Sequence, residues 1–345
     1  MKFDFAIGNP PYQDETLGDN KGFAPPVYNK FIDAACEVAE KVEMIHPARF
    51  LFNAGSTPKA WNKKMLEDEH FKIMEYEEDS SKVFANTDIK GGVVISYHDE
   101  TKQYGAIKVF TKYKELNTIL HKVKKNNSFA NFSNIVITRT AYRFTDKMHE
   151  EHPEVISQLS TGHAYDMSTN IFERVPQIFH EEKPNDNEEY IKILGREKNE
   201  RVYKFIKREY VNPVVNLDKY KIFIPKANGI GAFGEVISSP VIQEPGVGHT
   251  ETFLSIGIFD TIQEAVNADK YIKCKFTRAL LGVLKTTQDI TPDKWDNVPL
   301  QDFTEQSDID WSVSIPNIDK QLYKKYGLSD EEILFIEDNV KEMDC

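Results

Sequence analysis

The tightest constraint on this backbone is a pair of adjacent prolines, Pro10 and Pro11, directly after the first mostly apolar run. Phe3-Asp4-Phe5-Ala6-Ile7 reads as a short strand. Proline fixes φ and removes a backbone donor, so the strand must stop there and a rigid loop must follow. That loop is Asn9-Pro10-Pro11-Tyr12. A bare Pro-Pro is an ordinary strand-ending turn. An amide before the prolines and an aromatic after them, at the end of a buried-looking strand, point to chemistry.

The first third of the chain alternates between helical and strand-like periods. Phe31, Ala34, Ala35, Val38 and Ala39 predict a helix over residues 27–41, and residues 42–45 form a strand ending at His46-Pro47. A helix over 58–69 follows, then a strand over 71–76. Residues 91–97 and 106–110 read as a hairpin across a polar turn. This order implies an α/β sheet with helices on its faces. The polar stretch 122–128 reads as a linker and divides the chain into domains 1–127 and 128–345. The second domain reads as mixed α/β, with an acidic loop at 180–189, a helix over 262–286 and a capping box at Ser329–Glu332.

Bulk properties exclude several classes. The chain has 345 residues and no apolar run that approaches a membrane span, so no membrane partner is expected. Cys36, Cys274 and Cys345 lie far apart, which suggests a reducing cytoplasm, no disulfide framework and no metal site. A net charge of −12 argues at first against nucleic acid. The charge is uneven, however: residues 191–226 hold ten Lys/Arg against four Asp/Glu, and residues 286–345 hold five against fifteen.

The Asn-Pro-Pro-Tyr loop suits one demanding reaction. The exocyclic amine of a nucleobase is a poor nucleophile because its lone pair is delocalised into the ring. Two acceptors placed where its hydrogens will point draw it toward tetrahedral geometry, and the Asn9 side-chain oxygen and the Pro10 carbonyl can be those acceptors. Pro11 restrains the backbone that aims them. Tyr12 offers a flat face on which an extruded base can stack.

At this point the sequence resembles the amino-group DNA methyltransferases that use S-adenosylmethionine. Asn9, Pro10, Pro11 and Tyr12 match their catalytic motif in the form typical of adenine-specific enzymes. "MIHPARFL" (44–51) and "KGGVVISYHD" (90–99) resemble later landmarks, and the second implies that Tyr97 packs on the other face of a flipped adenine. "IKILGREKNERVYKF" (191–205) resembles the start of a target-recognition domain in single-chain restriction–modification methyltransferases, and "TTQDITPDKWDNVPLQDF" (286–303) has the same character. The resemblance implies a partial Rossmann-like methyltransferase sheet followed by a DNA target-recognition domain, with double-stranded DNA as partner and S-adenosylmethionine as cofactor.

In that family, arranged this way, the cofactor loop precedes the catalytic motif, whereas only eight residues precede Asn9. The resemblance therefore implies the C-terminal portion of a longer enzyme, with the cofactor-loop strands missing and the fragment inactive alone. Residues 3–7 then form an edge strand, expected either to self-associate or to pair with an N-terminal polypeptide that completes the fold. A DNA-binding specificity module, or an inactive remnant that keeps the first half as scaffold, is the competing reading.

Other features carry less. Residues 228–236, "NGIGAFGEV", allow a circularly permuted cofactor loop, and within them Gly229 to Val236 fit a kinase-type glycine-rich pattern. The surroundings argue against both readings: no acid ends the preceding strand, and no H-R-D or D-F-G occurs. His149 and His152 have no metal motif around them. Arg139, Arg143, Arg196, Arg201, Lys204, Lys207 and Arg208 are the candidate DNA contacts, and Tyr142 lies among the first of them. Lys219, Lys221 and Lys226 alternate to one side of a strand and read as groove-lining.

Overall fold

The structure, a computed structural model, describes residues 2–14, 24–125 and 129–343. The chain divides into two compact units, residues 1–121 and 122–345. The first contains β1 (Phe3–Gly8), α1 (Tyr28–Val38), β2 (Ala39–Pro47), α2 (Lys59–Glu67), β3 (Phe71–Glu77) and β4 (Val93–Asp99). α3 (Lys114–Lys125) runs across the division between the units.

The four strands form one sheet in the order β1-β2-β4-β3. β1 and β2 are parallel, joined through α1, and β4 runs antiparallel to both β2 and β3. Among the described residues β1 therefore has one strand neighbour and one free edge. The free edge coincides with exposed apolar side chains: Phe3, Phe5 and Ile7 are 71%, 58% and 75% exposed. α1 covers the opposite face, where Tyr28 and Ile32 join Phe50, Trp61, Met65 and Phe71 in the core.

Three sequence expectations change here. The first helix ends at Val38, not at residue 41, because Ala39 pairs with Phe3 in the parallel ladder and is fully buried. Residues 106–110 form no strand, because β2 and β3 already occupy both edges of β4. Lys108 instead takes a left-handed turn at φ 57°, and Ile107 and Phe110 pack against the core from a loop. The linker expected at 122–128 begins as helix: Leu116, Ile119, Leu120 and Val123 form one buried stripe of α3, which continues to Lys125, and residues 126–128 lie outside the described residues.

The second unit holds β5 (Val136–Ile137), α4 (Asp146–Glu151), α5 (Ile171–Arg174), β6 (Tyr190–Glu197), β7 (Glu200–Lys207), β8 (Tyr220–Pro225), β9 (Val241–Gln243), β10 (Val247–His249) and β11 (Phe253–Phe259). α6 (Ile262–Lys273), α7 (Lys275–Gly282), α8 (Ile315–Lys325) and α9 (Asp330–Asn339) complete it. One sheet has the order β10-β6-β7 and the other β5-β11-β8-β9. Tyr142, Phe144, Met148, Ile171, Phe172 and Ile193 belong to the buried core under the β6–β7 hairpin.

The helix expected over 262–286 is two helices broken at Cys274, whose ψ of 142° is extended. The Asp319 carboxylate of α8 accepts from the Lys275 and Phe276 amides at 3.0 and 2.9 Å, and so stabilises a new helix start. The capping box at Ser329–Glu332 forms with both of its reciprocal bonds.

Candidate functional site

Strand direction decides where the loops of the first unit gather. Gly8 ends β1 beside Met44 of β2, Pro47 ends β2 beside Val93, and Glu77 ends β3 beside Val93 as well. The segments that leave β1, β2 and β3 therefore emerge at one end of the sheet, the carboxyl-end position at which α/β sheets bind ligands. A cavity of about 450 Å³ lies there, within the size range of ligand pockets. Its lining includes Tyr12 and Gln13 after β1, Arg49 and Thr57 after β2, and Asp88 and Lys90 after β3, with Tyr28 of α1 between them.

The Asn9–Tyr12 loop is anchored from behind. Pro10 is buried, the Tyr12 carbonyl accepts from the Val27 amide at 3.2 Å, and the Asp14 amide donates to Pro25 at 2.9 Å. The front is open. Asn9 is exposed, and neither its side chain nor the Pro10 carbonyl has a hydrogen-bond partner among the described residues. The Tyr12 hydroxyl is buried without a partner among the described residues, and burial raises its pKa.

The residues flanking this loop are fixed by packing. His46 is fully buried, stacks on Tyr28 with ring centroids 5.4 Å apart, and bonds Ser96 Oγ through Nε2 at 2.7 Å. Burial pushes its pKa down to about 4, so it is neutral at physiological pH and ties β2 to β4. Arg49 lies against Gly91, where an added Cβ would come within 2.7 Å of Arg49 Cγ, and against Gly55. Arg49 and Lys90 are exposed and form no ion pair among the described residues.

Tyr97 is elsewhere. Ile7, Glu43, Tyr97 and Lys72 form one cross-strand row. Strand alternation puts that row on the face opposite Met44 and His46, which pack toward α1. Tyr97 meets Tyr104 edge-on at 6.3 Å, has the Lys72 ammonium 5.3 Å over its ring, and does not line the cavity. The aromatic that meets Tyr12 is Phe84, edge-on with ring centroids 6.4 Å apart. Sequence reading missed it because a lone Phe in a polar loop carries no periodic signal.

Most of the candidate DNA contacts are neutralised within the second unit. Arg139 pairs with Glu251 at 2.7 Å, Arg143 with Asp166 at 3.0 Å, and Lys204 with Glu181 and Glu197 at 3.0 and 2.8 Å. Lys207 pairs with Glu151 and Glu188 at 3.3 and 3.8 Å, and Arg208 with Glu189 at 3.3 Å and with Asp218. The acidic loop 180–189 thus folds back on the basic segment and cancels much of its excess. Arg196 and Arg201 are exposed and have no carboxylate partner among the described residues. The groove-lining expectation fails for Lys221, which is fully buried and donates to the carbonyls of Leu217, Lys219 and Glu244 at 2.8–3.0 Å. Lys219 and Lys226 pair with Asp260 and Asp289.

The glycine-rich loop at 228–236 is closed. The Glu235 carboxylate accepts from the Ile230 and Gly231 amides at 2.9 and 3.0 Å and pairs with Lys285, which is buried. These are the donors a phosphate or cofactor carboxylate would need, and the next element is the strand β9, not a helix. Neither the permuted nor the kinase-type reading survives that geometry. His149 and His152 bond separately, to the Ala164 carbonyl and to the Tyr210 hydroxyl.

Comparison with known proteins agrees with the motif. Residues 1–84 match the Eco57I restriction-modification methylase family. Over 95 residues the chain is 32% identical to an adenine-specific methylase of Mycoplasma pneumoniae, a match covering 27% of this chain and 22% of that protein. Among solved structures, the type IIG restriction endonuclease BpuSI aligns over 97% of this chain and 52% of its own, at 11% identity and a TM-score of 0.32. The type IIL restriction-modification enzyme MmeI, in complex with DNA, aligns over 97% and 56%, at 10% identity and a TM-score of 0.30. Structural likeness at that level carries no argument about fold. The chain spans about a fifth of the curated relative and about half of the two solved chains. The resemblance to restriction–modification adenine methyltransferases read from Asn9-Pro10-Pro11-Tyr12 holds, on the N-terminal family match and the curated relative.

Proposed function

We propose that this chain supplies the catalytic motif and target-recognition part of an adenine-specific DNA methyltransferase of a restriction–modification system. The observation that carries the reading is the loop after β1: two free acceptors, Asn9 and the Pro10 carbonyl, lead into a cavity lined by Tyr12. A flipped adenine enters with its amine toward Asn9 and Pro10 and its ring against Tyr12, whose own ring is braced edge-on by Phe84 outside the cavity lining. The two acceptors draw the amine hydrogens out of the ring plane and return the lone pair to nitrogen. Arg49 and Lys90, at the rim, hold the phosphates of the extruded nucleotide. The first unit is the catalytic half-domain and the second the target-recognition domain.

S-adenosylmethionine is the methyl donor this family implies. Among the described residues the glycine-rich loop at 228–236 offers it no cradle, because the Glu235 carboxylate already takes its free amides. In the family the cofactor-loop strand lies beside the catalytic strand, which here corresponds to the free edge of β1 with Phe3, Phe5 and Ile7 exposed. We infer that a further polypeptide segment pairs along that edge and brings the cofactor site, and that this chain alone neither binds S-adenosylmethionine tightly nor methylates DNA.

The test is Asn9→Ala in cells that carry this chain together with a polypeptide that supplies the cofactor loop. N6-methyladenine in genomic DNA, read by single-molecule sequencing, should disappear, while affinity for duplex DNA stays within about twofold because a base-edge group adds little to the phosphate-driven binding. Undiminished methylation in the variant would remove Asn9 from the reaction and overturn the reading.

A further inference from the structure

The β6–β7 hairpin separates its side chains cleanly. Ile191, Ile193, Gly195, Val202, Lys204 and Ile206 share the face turned to the core, and Gly195 is needed there because a Cβ would come within 2.5 Å of the Phe172 ring. The other face carries Tyr190, Lys192, Leu194, Arg196, Arg201, Tyr203, Phe205 and Lys207; Leu194 is buried against Phe223, Val247 and Phe253, and Arg196 and Arg201 are exposed nearer the tip. β10 pairs with β6 only at residues 192–194; past that point Gly195 packs against Phe172 and Thr250, Tyr203 bonds Gln243 and the Lys198 amide donates to Glu173 at 3.2 Å, while residues 196 and 198–201 stay exposed at the hairpin tip. Its tip is a two-residue turn, Lys198-Asn199, with φ of 50° and 69°.

Arg196 and Arg201 stand directly opposite each other in the ladder. Like charges at facing positions repel, and an acid nearby is the usual remedy. Five of the other cations singled out by the sequence have that remedy, and these two do not. Arg196 donates only to the Asn199 carbonyl, at 2.8 Å, and the Arg201 guanidinium lies 5.6 Å over the Phe253 ring. Glu197 and Glu200 project from the opposite face, and Glu197 is bound to Lys204. An arginine pair with no carboxylate partner among the described residues, at the exposed tip of a hairpin, matches a polyanion. A ribbon of this width also enters the major groove of duplex DNA, where arginine meets both phosphates and guanine edges.

We propose that the tip of the β6–β7 hairpin is a double-stranded DNA contact, with Arg196 and Arg201 as the paired cations that meet the duplex. The proposal rests on the reading of the chain as part of a DNA methyltransferase, and it selects these two residues over the other candidates in the second unit.

The experiment is binding of the full chain to a mixed-sequence duplex, followed by fluorescence anisotropy between about 50 and 200 mM NaCl. Each phosphate contact contributes about 0.9 to the slope of log K against log salt, so the double variant Arg196→Gln/Arg201→Gln should flatten the slope by about 1.8. By the same relation its affinity should fall about 60-fold near 0.1 M salt. Arg196→Lys/Arg201→Lys, which keeps the charge, should restore most of the slope. Arg143→Gln and Arg208→Gln should leave it unchanged. Acylation footprinting of the unmodified chain gives a second readout: duplex should protect the Lys198 amine and not Lys183 in the acidic loop. Wild-type binding with an unchanged slope in the glutamine double variant, or with Lys198 unprotected, overturns the hairpin assignment alone. No wild-type binding at any salt overturns the DNA reading with it. Equal or stronger binding to single-stranded RNA of the same length, lost in the same variant, would replace duplex DNA as the partner.

Discussion

Tyr12→Phe separates the two things that Tyr12 does. Its ring lines the cavity and meets Phe84, while its hydroxyl is buried without a partner among the described residues. A buried hydroxyl with no hydrogen bond costs about 1–3 kcal/mol relative to leaving it in water. The ring contact, worth about 0.5–1.5 kcal/mol, survives in phenylalanine. The substitution should therefore stabilise the first unit by about 1 kcal/mol. That corresponds to roughly fivefold slower opening of its most protected amides.

Global melting does not isolate this effect, because the chain has two units and need not unfold in one step. Hydrogen exchange followed by mass spectrometry does, with peptides from β2 (Ala39–Pro47) and β4 (Val93–Asp99) as reporters and β8 (Tyr220–Pro225) as internal control. Slower exchange in β2 and β4, with β8 unchanged, is the expected outcome. Faster exchange in β2 and β4 would show that the hydroxyl makes a bond in solution. The picture of an open front to the catalytic loop would then be wrong.

Three further outcomes follow from the geometry. The pKa of Lys221 is pushed down to about 7 by burial against an ordinary value of 10.5, opposed by Asp218, so above pH 7 the unfolded chain binds the extra proton. Stability of the second unit should then rise by up to about 1.4 kcal/mol per pH unit between pH 7 and 10, measured by urea unfolding with Trp295 and Trp311 as probes in a Trp61→Phe background; Lys221→Met should remove that slope. Lys198→Asn should stabilise the β6–β7 hairpin by about 0.5–1 kcal/mol, because a left-handed residue at φ 50° is costly for lysine, and urea midpoints that fall would refute it. Phe5→Lys/Ile7→Lys should abolish concentration-dependent association in light scattering, and unchanged association would locate the sticky surface elsewhere.

Local chemistry was legible in the sequence and long-range pairing was not. The strand before Asn9 and the capping box at Ser329 depend on neighbours within a few residues, and both form where read, although the strand that looked buried leaves Phe3, Phe5 and Ile7 exposed. The break at Cys274 depends on Asp319, forty-four positions from Lys275, and no helical period reports it. Residues 106–110 look like a strand by composition, yet a strand needs a free edge, and β4 has none to give. The basic segment 191–226 has a true local excess of cations. Whether that excess reaches solvent depends on Glu151, Glu181, Glu188 and Glu189, which the fold brings to it from outside the segment.

The same logic decides which aromatic can face Tyr12. Tyr97 sits inside a strand, so pleat and register fix its direction, and its row carries Glu43 and Lys72 on the face away from α1. No rotamer of Tyr97 moves it to the other face of the sheet. A partner for Tyr12 must come from a segment that leaves the same end of the sheet as β1 does, and the antiparallel pairing of β3 with β4 delivers residues 78–92 to that end. Phe84 lies in that stretch and meets Tyr12. Phe84→Leu should consequently weaken the hold of Tyr12 on an extruded base, and Tyr97→Leu should not. A duplex with 2-aminopurine at the target adenine, bound to the chain together with the segment that pairs along β1, reports the difference as fluorescence of the flipped base. The edge-on contact that braces Tyr12 is worth about 0.5–1.5 kcal/mol, so the flipped fraction should fall about two- to tenfold in the Phe84 variant. An equal fall in the Tyr97 variant would mean that the sheet face, and not the loop cluster, receives the base.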